Sequence, residues 1–411
     1  MDNRFVYMDY NATTPLRDEV KASMIEDLDV YANASSMHEA GRRARDRVEK
    51  ARVAVAALVG AREPQSILFT SGGSESNNTV FNTMYGLGRS PGARRKIITT
   101  AIEHPCVMNA ARHLSDEGFH VVFLGVDGYG RIDLAELERE LDPARSEGGP
   151  TLLVSVMAAN NEIGTLQDMK AIAAAAKAAG AFTHSDAVQA AGKIPVDVSA
   201  WGVDYLTLSC HKIYGPKGVG ALFVRKGAPA EPLIRGGHQE FGIRAGTYNN
   251  QGILGFGIAA ELALRDQGGF AKRLSGLRQR LKDGIAAGVP DIRFNGHPTE
   301  VLPNTLNVSF PGAEGEAILL SLDLEGIEVS TGSACASGSL EPSHVLMATG
   351  VGAELAHGSI RFSMGRGSAE EDVDYVLERL PPIIRRLRRM STVSSSISAT
   401  APAATLAACR D

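Results

Sequence analysis

The sequence predicts an α/β protein: a large domain with a largely parallel sheet, and a smaller α+β domain beside it. Three observations carry this. Between about residues 66 and 226, short β-rich runs alternate with helix-like segments, the rhythm of a layered α/β domain. After about residue 262 the texture changes to charged amphipathic helix. Most of the polar residues of interest stand where an apolar run stops, and ligands of such sheets gather beyond the carboxyl ends of the strands.

Each element has its own signal. Ala44, Val48, Ala51, Val55 and Leu58 recur at helical spacing and make one apolar face, which Gly60 terminates; the arginines and Lys50 fall mainly on the other faces. SILFT reads as a strand and SESNNTVFNTMYGLG as the helix after it. The strands KIITTAIE, HVVFLGVD and TLLVSVMAA follow, then the helix around MKAIAAAAKAAG, then the strands AFTHSDAV, DYLTLSC and GALFVR. Beyond them come the helix FAKRLSGLRQRLKDGIAAG, the strand TLNVSF, the helix EGEAILLSLDLEG and the strand IEVSTG. Val373, Val376, Leu377 and Leu380 mark a last helix that Pro381 and Pro382 are expected to interrupt. We therefore expect a large domain over residues 15–262, a small domain from residues 1–14 and 263–390, and a disordered tail over residues 391–411, which is rich in Ser, Ala and Thr.

Composition narrows the function. The 411 residues exceed one hydrophobic core. With 44% hydrophobic and 22% charged residues, and a net charge of -5, nothing global favours nucleic acid or an anionic membrane. No run is apolar enough to span a bilayer, and the amino terminus lacks the pattern of a secretory signal. Four cysteines without a CxxC pair make neither a disulfide framework nor a zinc site, so reduced cytoplasmic thiols are expected.

Seven stretches carry chemistry. In FTSGGSESNN a strand ends, glycines turn, and Ser74 opens a helix, a geometry that aims backbone N–H groups at an anion such as phosphate. In HSDAVQ an acid closes a buried strand, so Asp186 needs a cationic partner: a pyridinium nitrogen, a structural salt bridge, or iron through His184 and Asp186. The iron alternative predicts a β-sandwich. EHPC sets His104 and Cys106 just past a strand, where the ring is either a satisfied loop histidine or a flat group for a flat ligand, and NNEIG sets Asn161 either in an ordinary turn or toward a ligand oxygen. Lys212, behind Ser209 and His211 and ahead of a Gly/Pro turn, is either a solvated cation or an amine held in the sheet crevice for Schiff-base chemistry. Together these residues supply the fixtures pyridoxal phosphate requires. Cys335, in STGSACASGS, lies among small flexible residues, as a thiol that must swing between substrate and acceptor would. Arg361, in SIRFSMG, has the fork to clamp a carboxylate.

The strings MDYNATTP, FTSGGSESNN, EHPCV, SVMAANNEIGT, HSDAVQ, LSCHKIYGPKGVGAL, RGGHQEFGIRAGT, STGSACASGSLEPSHVL and IRFSMG, in this order, resemble the cysteine desulfurases of the NifS/IscS type over about residues 5–390. The resemblance implies fold type I, a homodimer, and pyridoxal 5'-phosphate bound to Lys212. It implies ring stacking by His104, Asp186 on the pyridine nitrogen, and Gln189 and Asn161 on the ring oxygen or substrate. Gly73, Ser74, Ser209 and His211 match phosphate-binding positions, Thr247 a phosphate contact given across the dimer, Arg361 the substrate-carboxylate clamp and Cys335 the nucleophile. The expected reaction turns L-cysteine into alanine with a persulfide on Cys335, which passes to an iron–sulfur scaffold protein of the NifU/IscU kind. RGGHQE, SGSLEPSHVL and AHGSIRFS lean toward the NifS branch and nitrogenase maturation. Ala34, Phe241 and Tyr248 depart from the family's usual proline, arginine and glutamate. A transaminase or lyase on the same cofactor, and a silent scaffold-binding subunit, are the alternatives.

Overall fold

The computed structural model describes residues 4–331 and 341–390. Its strands are β1 Val6–Tyr7, β2 Ile67–Thr70, β3 Lys96–Thr100, β4 His120–Leu124, β5 Thr151–Ser155, β6 Phe182–Asp186, β7 Tyr205–Ser209, β8 Gly220–Val224, β9 Arg293–Asn295, β10 Thr305–Ser309, β11 Ile327–Glu328 and β12 Ser359–Ser363. The helices are α1 Asp18–Asp27, α2 Glu39–Leu58, α3 Gly73–Gly88, α4 Pro105–Asp116, α5 Leu134–Leu141, α6 Met169–Ala178, α7 Val198–Trp201, α8 Asn250–Gly288, α9 Gly315–Asp323, α10 His344–Ala348, α11 Ala353–His357 and α12 Glu370–Met390.

A seven-stranded sheet in the order β2-β8-β7-β6-β5-β3-β4 forms the centre. β8 is antiparallel to both neighbours, and the other pairs are parallel. The inner strands β5 and β7 are buried along their whole length, because helices cover both faces, which is why they read as continuous apolar runs. One face packs on Ala44, Val48, Ala51 and Val55 of α2 and on Phe256 and Ala260 of α8. The other packs on Val80 and Met84 of α3 and Val107 of α4. The left-handed Gly60 (φ 66°) closes the α2 end as expected.

A three-stranded antiparallel sheet, β12-β10-β9, and the parallel pair β1-β11 form a second body. Its core joins Val6 and Met8 to Leu274, Leu281, Phe310, Phe362 and Val376.

Two expectations change. α8 runs unbroken for 39 residues, so the helix expected from FAKRLSGLRQRLKDGIAAG begins earlier, at Asn250, and runs past residue 262. α12 continues through Pro381 and Pro382 to Met390. Each proline removes a helical N–H, but Leu380, Ile383 and Ile384 are buried in the second core and hold the turn.

Candidate active site

The sheet's carboxyl edge opens into a cleft of about 370 Å³ lined by Gly73, Ser74, His104, Asn161, Asp186, Gln189, Ser209, His211, Lys212 and Arg361, with Asn11, Asn77, Cys106 and Met157 beside them. A hollow of about 560 Å³ at the opposite edge, near Arg62 and Arg225, gathers none of them.

Topology explains the convergence. Asp186 closes β6 and Ser209 closes β7, while Ser74 stands in the first turn of the 16-residue α3. His104 caps α4, its ring Nδ1 accepting the Cys106 backbone N–H at 3.2 Å. Lys212 ends a tight turn over Cys210–Lys212. The next turn is fixed from the amino-terminal segment: Tyr214, left-handed at φ 68°, donates its backbone N–H to Thr14 Oγ1 at 2.8 Å.

Lys212 Nζ donates to the backbone carbonyls of Asn11 and Ala12, both at 2.6 Å. Asp186 is 6% exposed and accepts from Asn77 Nδ2 (2.7 Å) and from the Val188 N–H (3.0 Å). Among the described residues no cation forms an ion pair with it. A buried carboxylate so placed favours a positively charged ligand atom.

Because a backbone N–H can only donate, His104 Nδ1 is an acceptor, and the neutral ring carries its proton on Nε2. Burial, with smaller contributions from Lys212 and His344, outweighs Asp186 and holds His104 below the usual histidine range. Burial likewise brings His211, which pairs with Thr13 Oγ1 at 3.0 Å, down to about 4, helped by Lys212 and Lys217. The Cys106 thiol, 2.9 Å from His104 Nδ1, is pushed up to about 12 by burial and then by Asp186. Burial thus disfavours the thiolate, the form in which a cysteine is nucleophilic.

Arg361, 2% exposed, pairs with Asp9 at 2.7 Å and donates to the Asn161 carbonyl at 3.1 Å. Its Nε has no partner among the described residues. Cys335 and Cys409 lie outside the described residues, as does the tail expected over residues 391–411. The chain on either side of Cys335 is held at the cleft. Ser330 exchanges backbone hydrogen bonds with Arg361 (2.7 and 3.3 Å), and Ser343 Oγ donates to Glu162 Oε2 at 2.5 Å. His344 Nε2 meets the Glu103 carbonyl at 2.9 Å.

Thr247 is exposed and does not line the cleft. The departures Phe241 and Tyr248 hold the segment before it: Phe241 lies against the Arg52 guanidinium, 5.4 Å from the ring centre, and Tyr248 Oη accepts the Glu240 N–H at 3.2 Å. His184, the other half of the iron alternative, is fully buried, its ring nitrogens meeting Ser155 Oγ (2.8 Å) and Thr207 Oγ1 (3.1 Å). The sheet is no sandwich, so that reading falls.

Sequence reasoning missed Asn11, Asn77 and Lys193. Asn77 was visible in SESNN, on the turn of α3 facing β6. Lys193 was visible as the residue four positions after Gln189, and Asn11 stood in MDYNATTP without a role.

The aminotransferase class-V family description matches residues 6–376. "Cysteine desulfurase 2" of Trichormus variabilis is 48% identical over 394 residues, covering 95% of this chain and 96% of that protein. "Cysteine desulfurase IscS" of Dictyoglomus turgidum is 46% identical, covering 94% and 96%. A solved NifS-like protein superposes with a TM-score of 0.86 at 40% identity, covering 93% of this chain and all of that one. A structure described as SspA in complex with cysteine gives 0.76 at 33% identity, covering 88% and 99%.

Proposed function

This chain belongs to the class-V aminotransferase family, among the cysteine desulfurases, and from that premise we propose that it converts L-cysteine to L-alanine and leaves the sulfur as a persulfide on Cys335. The observation that supports it most is one cleft holding the Lys212 amine and a buried Asp186 carboxylate without an ion-pair partner among the described residues.

These residues suit pyridoxal 5'-phosphate. Asp186 would meet its protonated ring nitrogen and His104 its ring face. The α3 amino terminus at Gly73 and Ser74, with Ser209 and His211, would hold its phosphate. Gln189 and Asn161 would serve the ring oxygen or the substrate. Bound there, the cofactor supplies a carbonyl for amine chemistry and a sink for the electrons released at the substrate Cα.

The chain's own groups do the rest. Lys212 takes the Cα proton and later returns one. Arg361, steadied by Asp9, directs its remaining N–H groups at the substrate carboxylate. Neutral His104, protonated on Nε2, manages the proton of the substrate thiol. The Cys335 thiolate attacks the substrate sulfur: the S–S bond forms as the C–S bond breaks, its electron pair staying with carbon until a proton arrives, and alanine leaves. An acceptor thiol then removes the outer sulfur from Cys335.

The wider reading follows from the same residues. We read the chain as a large domain (15–262) and a small one (1–14 and 263–390); the core that joins Val6 and Met8 to residues from Leu274 to Ile384 supports that reading. A homodimer accounts for Thr247, which would reach the phosphate of a second copy. The acceptor is an iron–sulfur scaffold protein of the NifU/IscU kind, with nitrogenase maturation as its destination. The setting is the cytoplasm, where the thiols stay reduced; no described helix is long and apolar enough to cross a membrane.

The test is to incubate the cofactor-loaded chain with L-cysteine, quantify alanine, and locate the persulfide by mass spectrometry. Alanine with added sulfur on Cys335 is expected, and neither from Lys212→Ala. Normal alanine and sulfide yields from Cys335→Ala would overturn the reading.

A further inference from the structure

Lys193 is 4% exposed, and among the described residues no carboxylate pairs with it. Its Nζ donates to Gln189 Oε1 and, at 3.0 Å, to Asn11 Oδ1. Gln189 Nε2 donates at 2.9 Å to the Asn11 carbonyl, the same oxygen that accepts from Lys212 Nζ. Asn11 Oδ1 also accepts from Asn304 Nδ2 at 3.0 Å. Both lone pairs of each Asn11 oxygen are therefore engaged, and Asn11 cannot turn without breaking several bonds.

The Gln189 amide has two orientations that differ only in exchanging O and N. In the flipped one, Oε1 would oppose the Asn11 carbonyl, acceptor against acceptor, and Lys193 would lose the Oε1 acceptor to which it donates. We propose that Lys193 is a positioning residue of the active site: by donating to Gln189 Oε1 it fixes that amide so that an N–H is offered to the cleft beside Lys212. Nε2 has two hydrogens and spends one on Asn11. The other is the donor available to an acceptor oxygen of a bound ligand.

The chemistry of the amine agrees. Burial, reinforced by Lys212 and Arg361, pushes Lys193 well below the ordinary lysine value, and an uncharged amine has two N–H groups for its two acceptors. A charged one would leave a third unmatched.

The inference rests on the cofactor reading, in which Gln189 meets the ring oxygen of pyridoxal phosphate. Its test is direct binding, without turnover. The full chain stripped of cofactor is titrated with pyridoxal 5'-phosphate and with its 3-deoxy analogue, which lacks that oxygen. Lys193→Met is expected to weaken pyridoxal phosphate binding about fivefold, the order of one hydrogen bond, and to leave the analogue within about twofold. In a Gln189→Met background the same substitution should change neither. Lys193→Gln, which keeps a donor, gives a smaller loss and serves in place of Lys193→Met if that variant does not fold. Equal losses for both ligands, or a full loss in the Gln189→Met background, overturn the inference by making Lys193 a packing residue. Failure of the unaltered chain to bind pyridoxal phosphate overturns the cofactor reading itself, and this inference with it.

Discussion

Glu103, next to the ring-bearing His104, is fully buried; Oε1 accepts from Thr100 Oγ1 (2.8 Å) and the Met157 N–H (2.9 Å), and Oε2 has no partner among the described residues. Burial lifts its pKa from 4.5 to about 8. With the folded value above the unfolded one, its protonated form contributes stability fully below about pH 4.5, and that contribution is lost as pH rises through about 8. Glu103→Gln, which copies the protonated shape, should raise Tm over the unaltered chain at about pH 9 and match it at about pH 5. An equal shift at both values would refute the assignment. His184 works in the opposite window: burial lowers it to about 3, so its contribution is lost as pH falls from about 6.5. Comparing variant with parent at each pH isolates the carboxyl. At this scale the sequence disclosed Lys212, Asp186 and His104, because each stands where an apolar run ends, and Arg361 as a charge at the centre of the buried strand β12. It hid Asn11, whose partners Lys193, Asn304 and Thr305 lie far along the chain, and it marked Lys193 only by its place four positions after Gln189.

α8 shows how one element serves two cores. Ile253, Phe256 and Ala260 belong to the sheet's core, and Leu274, Leu281 and Ile285 to the second. At 1.5 Å per residue it is about 58 Å long. Its glycines make opposite predictions. A methyl at Gly268 would meet nothing within 4 Å, so Gly268→Ala should stabilise by roughly 0.5–1 kcal/mol. A methyl at Gly257 would lie 2.5 Å from Ala51 Cα in α2, so Gly257→Ala should destabilise by about 1–3 kcal/mol. Chemical denaturation of the two variants checks the signs, and a shared sign would contradict the packing. Periodicity revealed the carboxyl-terminal part of α8 but not its continuity, because residues near 262–268 carry no consistent apolar face. Pro381 and Pro382 misled for a related reason: local chemistry said stop, while Ile383 and Ile384 had a core to reach.

Across the whole molecule, the alternating rhythm announced the parallel sheet, since each strand and its helix are consecutive in the chain. The pairing of β1 with β11 and of β10 with β12 joins distant segments and left no trace in any window. Thr247, exposed and away from its own cleft, gives a test of the dimer reading. Chains carrying Lys212→Ala and chains carrying Thr247→Asp, each inactive alone, should regain desulfurase activity when unfolded and refolded together. No recovery would count against a shared site. Asn11 has a consequence for biosynthesis as well. It donates to Thr305 Oγ1, accepts from Asn304, and receives its own backbone support from Ser363, residues 294, 293 and 352 positions onward. A nascent chain on the ribosome must therefore wait until nearly all of it has been translated before the carbonyl that steadies Lys212 is itself anchored, so the polypeptide gains its chemical competence only as synthesis draws to a close.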